Sequence, residues 1–158
     1  MYFWLTLITV FLTDQFSKYL LQLNLLKNES IPVLPPVFYI TYIENPGAAF
    51  GIMAHKTGFF IAISLLVVAG TLFFYRQIIK TTLLQLQVGL IVGGSLGNLL
   101  DRLRIGQVVD FLDFRIWPVF NIADTAIVIG VGLLIWDTLF HSKKHPRDGD
   151  KVVKDENN

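Results

Sequence analysis

The sequence predicts an integral membrane protein with an all-α core of four transmembrane helices and a small extracytoplasmic β-sheet on the membrane surface. Of the 158 residues, 53% are hydrophobic and only 16% are charged, whereas ordinary soluble domains carry about 25% charged residues. The charged residues are also unevenly spread, so that long apolar stretches remain between them. A β-branched and aromatic run outside those stretches indicates the sheet.

Net charge and amino-acid content exclude several classes of function. The formal net charge of +1 argues against nucleic acid as a partner. Cysteine is absent, which excludes disulfides, thiolate nucleophiles and cysteine-ligated metals. The three histidines do not have metal-ligand spacing such as H-E-x-x-H. Neither a metal nor a cofactor is therefore predicted.

Four apolar segments predict the helices of the core. Crossing a hydrocarbon layer of roughly 30 Å takes about 20 helical residues, and the segments that satisfy this are residues 2–23, 58–78, 83–103 and 121–140. The first segment lacks a basic start and a small-x-small cleavage site, and it contains Asp14 and Lys18. It is therefore interpreted as a transmembrane helix and not as a signal peptide.

Basic residues predict the orientation of these helices. Arg76 and Lys80 join the second and third segments, and five further Lys or Arg residues follow the fourth. An even number of crossings puts both groups on the side of the N-terminus, which should be cytoplasmic. Residues 1–140 are predicted to form one transmembrane domain. Residues 141–158, charged and poor in apolar side chains, are predicted to be a disordered cytoplasmic tail.

The outer connection between the first two segments, residues 24–57, is too long for a simple turn. Its centre, residues 37–43, reads Val-Phe-Tyr-Ile-Thr-Tyr-Ile, a composition that favours a strand. Prolines precede this run, and Pro46 and Gly47 follow it, so chain-breaking residues bound it on both sides. A small sheet on the outer surface is the expected result.

Asp110 and Asp124 flank the start of the last apolar segment. Placing an unpaired carboxylate near hydrocarbon costs roughly several kcal/mol of free energy, so an acidic residue there is a functional candidate. Two such acids that met could share a proton and activate a water, which points to hydrolysis at the edge of a bilayer. A structural explanation stays open for Asp124, because Asn121 is a good N-cap and an acid three residues later suits the helix dipole.

Polar residues inside the other segments allow two interpretations each. Asp14 and Lys18 lie one helical turn apart, either as a neutralised pair or with Lys18 ordering a nearby acid. Asn98, Asp101 and Arg102 share one helix face. Asp101 and Arg102 could simply be solvated at a helix end, whereas the deeper Asn98 amide needs partners.

Five motifs, in order, resemble those of the bacterial lipoprotein signal peptidases, also called signal peptidase II. They are Asp-Gln-Phe-Ser-Lys at 14–18, Asn-Pro-Gly-Ala-Ala-Phe-Gly at 45–51, Gly-Gly-Ser-Leu-Gly-Asn-Leu-Leu-Asp-Arg at 93–102, Gly-Gln-Val-Val-Asp-Phe at 106–111 and Phe-Asn-Ile-Ala-Asp at 120–124. Only the charged tail lies clearly outside the resemblance.

This resemblance implies an intramembrane aspartic endopeptidase that removes the signal peptide from diacylglyceryl-modified prolipoproteins by cleaving just before the lipidated cysteine. It implies that Asp110 and Asp124 are catalytic, and that Asn45, Asn98 and Arg102 bind substrate. It assigns supporting positions to a further set of residues: Asp14, Lys18, Gly47, Asp101 and Asn121.

The resemblance also implies a location and partners. The expected place is the bacterial cytoplasmic membrane, with the active site near the extracytoplasmic face and a small sheet, the β-cradle, beside it. Besides membrane lipids and the prolipoprotein substrates, the expected ligands are globomycin-like cyclic peptide inhibitors. The protein is expected to act as a monomer.

Two other hypotheses concern an alternative function and the path of the acyl chains. The alternative function is a small four-helix proton-coupled transporter with Asp14 as its proton-binding acid. Within the peptidase hypothesis, the aromatic strand at 38–42 is expected to form one wall of an apolar path for the acyl chains. Pro46 and Gly47 would then permit this strand and its loop to close over the site.

Overall fold

The computed structural model describes residues 1–47, 53 and 56–140. The helices are α1 (Tyr2–Asn24), α2 (Thr57–Phe73), α3 (Tyr75–Ile78), α4 (Thr82–Ile105) and α5 (Ile122–Phe140). The strands are β1 (Ser30–Leu34), β2 (Phe38–Asn45) and β3 (Val108–Asp113). The predicted tail at 141–158, and the end of the second motif at 48–51, lie outside the described residues.

Helix α4 is the centre of the helical core and packs against α1, α2 and α5. Its glycines explain how two neighbours come so close. A Cβ on Gly93 would lie 2.8 Å from the Leu7 carbonyl oxygen of α1, and a Cβ on Gly94 would collide with the Ala123 carbonyl oxygen of α5. Glycine at these positions lets both neighbouring backbones approach, as small residues do between membrane helices.

The predicted helical segments are found, with one interruption. The second segment, predicted as 58–78, is divided at Phe74 into α2 and the single turn α3. In the described part of the chain, α4 and α5 are long and apolar enough to cross a membrane. Helix α2 has 17 residues and α1 contains Asp14 and Lys18, so the crossing by four helices stays a prediction.

The sheet has three antiparallel strands in the order β1–β2–β3. The predicted strand at 37–43 is found as β2. Its two neighbours were missed because Pro32, read as a chain breaker, lies within β1, and because β3 follows α4, far along the chain. Proline is tolerated in β1 because this is an edge strand. The sheet therefore includes a strand from outside residues 24–57.

Two clusters of buried apolar side chains lie at the two ends of the helical core. At one end, Leu21 and Leu25 of the α1 terminus pack against Tyr42, Val109 and Phe111 of the sheet. At the other, Phe3 and Leu7 pack with Ile78 and Val92. Strand β3 is thus anchored between the helices, with almost every residue buried, and this is the strand that carries Asp110.

Candidate active site

Asp110 lies in the middle of β3, where only 2% of it is exposed. Both of its carboxylate oxygens accept hydrogen bonds from amide side chains. The Asn45 Nδ2 donates to Oδ2 at 2.9 Å, and the Asn121 Nδ2 donates to Oδ1 at 2.7 Å. Asn45 ends β2, the strand paired with β3, so sheet register brings the two side chains together.

Asp124 lies in the first turn of α5 and forms a reciprocal cap with Asn121. The Asp124 backbone N–H donates to Asn121 Oδ1 at 2.8 Å, and the Asn121 backbone N–H donates to Asp124 Oδ2 at 3.3 Å. This is the capping-box pattern, which satisfies two N–H groups at a helix start. The cap and the meeting of two acids prove compatible, because the same Asn121 side chain also bonds Asp110.

Both aspartates line one open cavity of about 730 Å³. Asn45, Asn98 and Arg102 line it too, so the residues expected to be catalytic and those expected to bind substrate come together. The remaining lining is largely apolar and comes from the segment 114–120 and the outward face of α5. Residues 38–42 do not line this cavity, so the expectation that this strand forms its wall is wrong.

Burial and a second carboxylate control the charge of Asp110. Burial and, to a lesser extent, the negative charge of Asp124 together raise the pKa of Asp110 to about 7, against the lowering by the Asn45 amide, Lys18 and Asn121. A carboxyl in such a place holds a proton near neutral pH, which suits acid–base chemistry.

Arg102 is a half-buried cation at the side of the cavity. Its Nη2 donates to the Gly47 carbonyl oxygen at 3.4 Å, and its guanidinium carbon lies 4.7 Å from the centre of the Phe60 ring. In turn the Gly47 N–H donates to Asn45 Oδ1 at 3.0 Å. Arg102, Gly47 and Asn45 therefore form a continuous polar edge that leads to Asp110.

Behind the cavity, Lys18 joins two helices through two carboxylates. Its Nζ lies 2.8 Å from Asp14 Oδ2 and 2.8 Å from Asp101 Oδ2. Lys18 is 2% exposed and Asp101 is 4% exposed. The interpretation of Asp101 as a solvated residue at a helix end is therefore wrong. We call Asp14, Lys18 and Asp101 the charged junction.

The charged junction also orients Asn98. The Lys18 Nζ donates to Asn98 Oδ1 at 3.2 Å, and the Asn121 Nδ2 donates to the same oxygen at 3.1 Å. With its oxygen turned toward these donors, Asn98 directs its Nδ2 to Asp124 Oδ1 at 2.7 Å. Lys18 thus pairs with Asp14, as the first alternative predicted, and also contacts Asn98, which bonds Asp124.

Sequence reasoning did not single out Gln15. Its Nε2 lies 3.1 Å from Asp14 Oδ2, the Gly97 carbonyl oxygen and Asp101 Oδ1, so it completes the charged junction. An amide beside Asp14 in an apolar segment was the available signal. The apolar segment 114–120 was also missed, and nothing in its sequence alone shows that it faces Asp110.

Comparison with known proteins decides the family. The profile described as "Signal peptidase (SPase) II" matches residues 6–140. The chain belongs to the signal peptidase II family. It is therefore a membrane peptidase, and the transporter alternative is not supported. Asp14, which that alternative would make the proton carrier, has no exposed surface.

Two relatives match this chain over nearly their whole length. The lipoprotein signal peptidase of Pelotomaculum thermopropionicum is 52% identical over 145 residues, covering 91% of this chain and 95% of the relative. That of Moorella thermoacetica is 49% identical over 147 residues, covering 92% and 98%.

A solved bacterial membrane enzyme superposes on this peptidase with a TM-score of 0.82 at 34% identity, covering 92% of this chain and 93% of the other. A second solved bacterial membrane enzyme superposes with a TM-score of 0.77 at 35% identity, covering 87% and 92%. The similarity therefore extends to the arrangement of helices and sheet.

Among the described residues of this signal peptidase II, no group of three or more His, Asp or Glu side chains is placed to hold a metal ion. All three histidines, His55, His141 and His145, lie outside the described residues. The described part of the site contains two carboxylates, of buried Asp110 and partly buried Asp124, together with amide donors and one guanidinium.

Proposed function

We propose that the chain is an intramembrane aspartic endopeptidase that removes the signal peptide from diacylglyceryl-modified prolipoproteins, cleaving just before the lipidated cysteine. Asp110 and Asp124 are its catalytic pair. One observation carries the proposal: Asn121 bonds both aspartates, and both line the same cavity, whose other walls are largely apolar. The Asn121 side chain donates to the Asp110 carboxylate, and the Asn121 backbone N–H donates to the Asp124 carboxylate.

The pair works as a general acid and a general base. Two nearby carboxyls in a buried site do not ionise together readily, so the pair keeps one proton. The ionised member takes a proton from water, and the resulting hydroxide adds to the scissile carbonyl carbon. The protonated member donates to the developing oxyanion. Collapse of the tetrahedral intermediate then breaks the C–N bond, and the leaving amine receives the proton.

Neutral amides suit this proton transfer better than cations would. Hydrogen bonds from Asn45, Asn98 and Asn121 hold the two carboxylates in place. Because these amides are neutral, they do not add a full positive charge that would keep both carboxylates ionised. Asn121 and the charged junction support this geometry. General acid–base catalysis contributes typically about 10²–10⁴-fold, so positioning of the substrate must supply much of the remaining acceleration.

The substrate is positioned by three polar side chains, those of Asn45, Asn98 and Arg102. All three line the cavity next to the aspartates, where their donors are within reach of the carbonyl oxygens of an extended peptide. Gly47, whose carbonyl Arg102 contacts, belongs to the same edge. The apolar walls bind the acyl chains, and globomycin-like cyclic peptide inhibitors bind in the same cavity.

The proposed place is the bacterial cytoplasmic membrane. Helices α1, α2, α4 and α5 cross it, and residues 1–140 form one peptidase domain that acts as a monomer, followed by a cytoplasmic tail. Arg76 lies in α3 and Lys80 follows it, at the opposite end of the bundle from the sheet. Since cytoplasmic loops carry an excess of basic residues, this position supports an orientation with α3 on the cytoplasmic side and the sheet and the aspartate pair on the outer side.

Substitution of the pair tests the proposal directly. Asp110→Asn and Asp124→Asn should each lower the rate of cleavage at least about 10³-fold, because neither variant can cycle a proton through both carboxyls. The measurement is the gel shift of a lipidated prolipoprotein with purified enzyme in detergent or vesicles. Glu44→Gln, which changes a carboxylate of β2 outside the cavity lining, should cleave normally. Normal cleavage by either Asp variant would remove the proposed mechanism.

A further inference from the structure

The segment 114–120, which we call the wall loop, joins β3 to α5 and supplies much of the apolar side of the cavity. Both of its ends are held. The Leu112 N–H donates to the Phe120 carbonyl oxygen at 2.8 Å, and the Phe120 N–H donates to the Leu112 carbonyl oxygen at 3.2 Å. Between these ends the loop projects outward, and Ile116 is 93% exposed.

A ring of polar side chains ties this loop to the sheet. The Thr41 hydroxyl donates to Asp113 Oδ2 at 2.7 Å, the Ser30 hydroxyl lies 2.8 Å from that of Thr41, and Arg115 Nη2 donates to the Ser30 Oγ at 2.7 Å. A hydroxyl has one hydrogen. Since Thr41 gives its hydrogen to Asp113, Ser30 must donate to Thr41, and the donors run in one direction from Arg115 to Asp113.

Asp113 and Arg115 close the ring. The Arg115 backbone N–H donates to Asp113 Oδ1 at 2.9 Å, and Arg115 Nε lies 3.5 Å from Asp113 Oδ2. The guanidinium carbon also lies 3.8 Å from the centre of the Tyr39 ring, a cation–π arrangement. We call Ser30, Thr41, Asp113 and Arg115 the bracket. It spans all three strands and ends in the wall loop.

The backbone of Arg115 indicates that the bracket directs the loop. Its φ is 63°, in the left-handed region that residues with a Cβ avoid. Glycine would adopt this turn more readily, but it would lose the contacts with Ser30, Asp113 and Tyr39. The side chain therefore supports the turn that points the rest of the wall loop toward the cavity.

We propose that Asp113 and Arg115 are positioning residues that fix the wall loop, and that this loop determines how strongly the peptidase responds to the acyl chains of its substrate. The inference rests on the proposed function. Cleavage next to a lipid-bearing residue brings the diacylglyceryl group close to the catalytic pair. Phe114, Trp117 and Phe120 line the same cavity as that pair and offer apolar surface to the chains.

Kinetics with two lipopeptides test the role of the loop. The substrates differ only in having long or short diacylglyceryl chains. Arg115→Gln should raise KM for the long-chain substrate about three- to tenfold with kcat within about twofold, because binding and not chemistry is affected. KM for the short-chain substrate should change little. Lys27→Gln, which removes an exposed cation of the Glu44 pair outside the cavity lining, should leave both KM values unchanged.

Spin labelling tests the positioning role without any cleavage. The chain has no cysteine, so Ile116→Cys gives a single labelling site at the exposed apex of the wall loop. Adding Arg115→Gln should increase the mobility of the label, whereas adding Lys27→Gln should not. If Arg115→Gln does not fold, Ser30→Ala replaces it in both experiments, since it removes one contact of the same ring.

The two measurements separate the possible failures. Unchanged label mobility would overturn the positioning role of the bracket. Increased mobility with equal KM for both substrates, or a loss of kcat that is the same for long and short chains, would overturn the acyl-chain role. If the unsubstituted enzyme cleaves neither lipopeptide, the proposed function fails, while the label still reports on the bracket.

Discussion

Two pairs of aspartates in this protein have different hydrogen-bond partners. In the charged junction, Asp14 and Asp101 share the ammonium of Lys18, with 2.8 Å to each. At the cavity, the amides of Asn45, Asn98 and Asn121 donate to Asp110 and Asp124. Within the described part of the chain, neither of these latter carboxylates forms a salt bridge.

The comparison indicates that the role of an aspartate at a low-exposure position depends on whether its hydrogen-bond partner is a cation or a neutral amide. A full positive charge compensates buried anions and makes them structural, because removing it leaves charge uncompensated. Amides orient a carboxylate without cancelling its charge, so a pair held only by amides retains a proton. The charged junction is therefore suited to holding helices together, and the cavity pair to exchanging protons.

The largest effect is expected from removing Lys18, the cation that Asp14 and Asp101 share. Lys18→Met should lower the free energy of unfolding by about 3–5 kcal/mol, because Asp14 and Asp101 are left buried without compensation. Thermal unfolding in detergent measures the loss. Lys27→Gln is the matched control: Lys27 pairs with Glu44 but its side chain is 50% exposed, so its removal should cost less than about 1 kcal/mol. Equal melting temperatures for the two variants would contradict a structural role for the junction.

A smaller perturbation of the junction comes from Gly97. A Cβ at this position would lie 2.5 Å from Asp14 Oδ2, and Asp14 is held there by Lys18 and by the Ala123 N–H at 2.9 Å. Gly97→Ala should therefore destabilise the protein by about 1–3 kcal/mol. Gly132→Ala meets no atom within 4 Å and should be neutral or stabilising by up to about 1 kcal/mol. If both variants melt alike, the close approach at Gly97 has no energetic consequence.

The cavity pair should respond to pH. Because the pKa of Asp110 is raised to about 7, the shared proton is lost above that pH, and the cleavage rate should fall about tenfold per pH unit there. A rate that stays constant well above neutral pH would contradict proton sharing by the pair.

The same shift has a consequence for stability. The pKa of Asp110 is higher in the folded protein than its ordinary value of 3.8, so the protonated form stabilises the fold. This contribution is complete below the unfolded-state pKa and is lost as the pH rises through the folded-state pKa. Asp110→Asn should therefore narrow the difference in melting temperature between acidic and alkaline buffer, relative to the unsubstituted protein. An unchanged difference would argue that Asp110 does not titrate in this range.

Local signals in the sequence predicted much of this molecule. Apolar length predicted the helical segments, and β-branched and aromatic residues predicted β2, because these features depend on neighbours in the chain. The cap at Asn121 was predicted for the same reason. Strand β1 was missed because tolerance of Pro32 depends on its being at a sheet edge, which local sequence does not encode.

The charged and polar neighbours of the site residues were harder to predict from the sequence. Asp101 was open to interpretation as a solvated residue, yet it is buried against Lys18. The wall loop was not recognised as part of the cavity, since its position depends on contacts with Ser30 and Thr41 far earlier in the chain.

By itself, the sequence determined the membrane character, the order of the main helices and the motifs that identify the family. Only the tertiary structure decided which aspartates pair with a cation and which accept hydrogen bonds from amides, because Lys18 and Asp101 belong to different helices and Asp110 and Asn45 to different strands. The physical reason is that the charge state of a buried acid depends on the groups within a few ångströms, and those groups are assembled by folding.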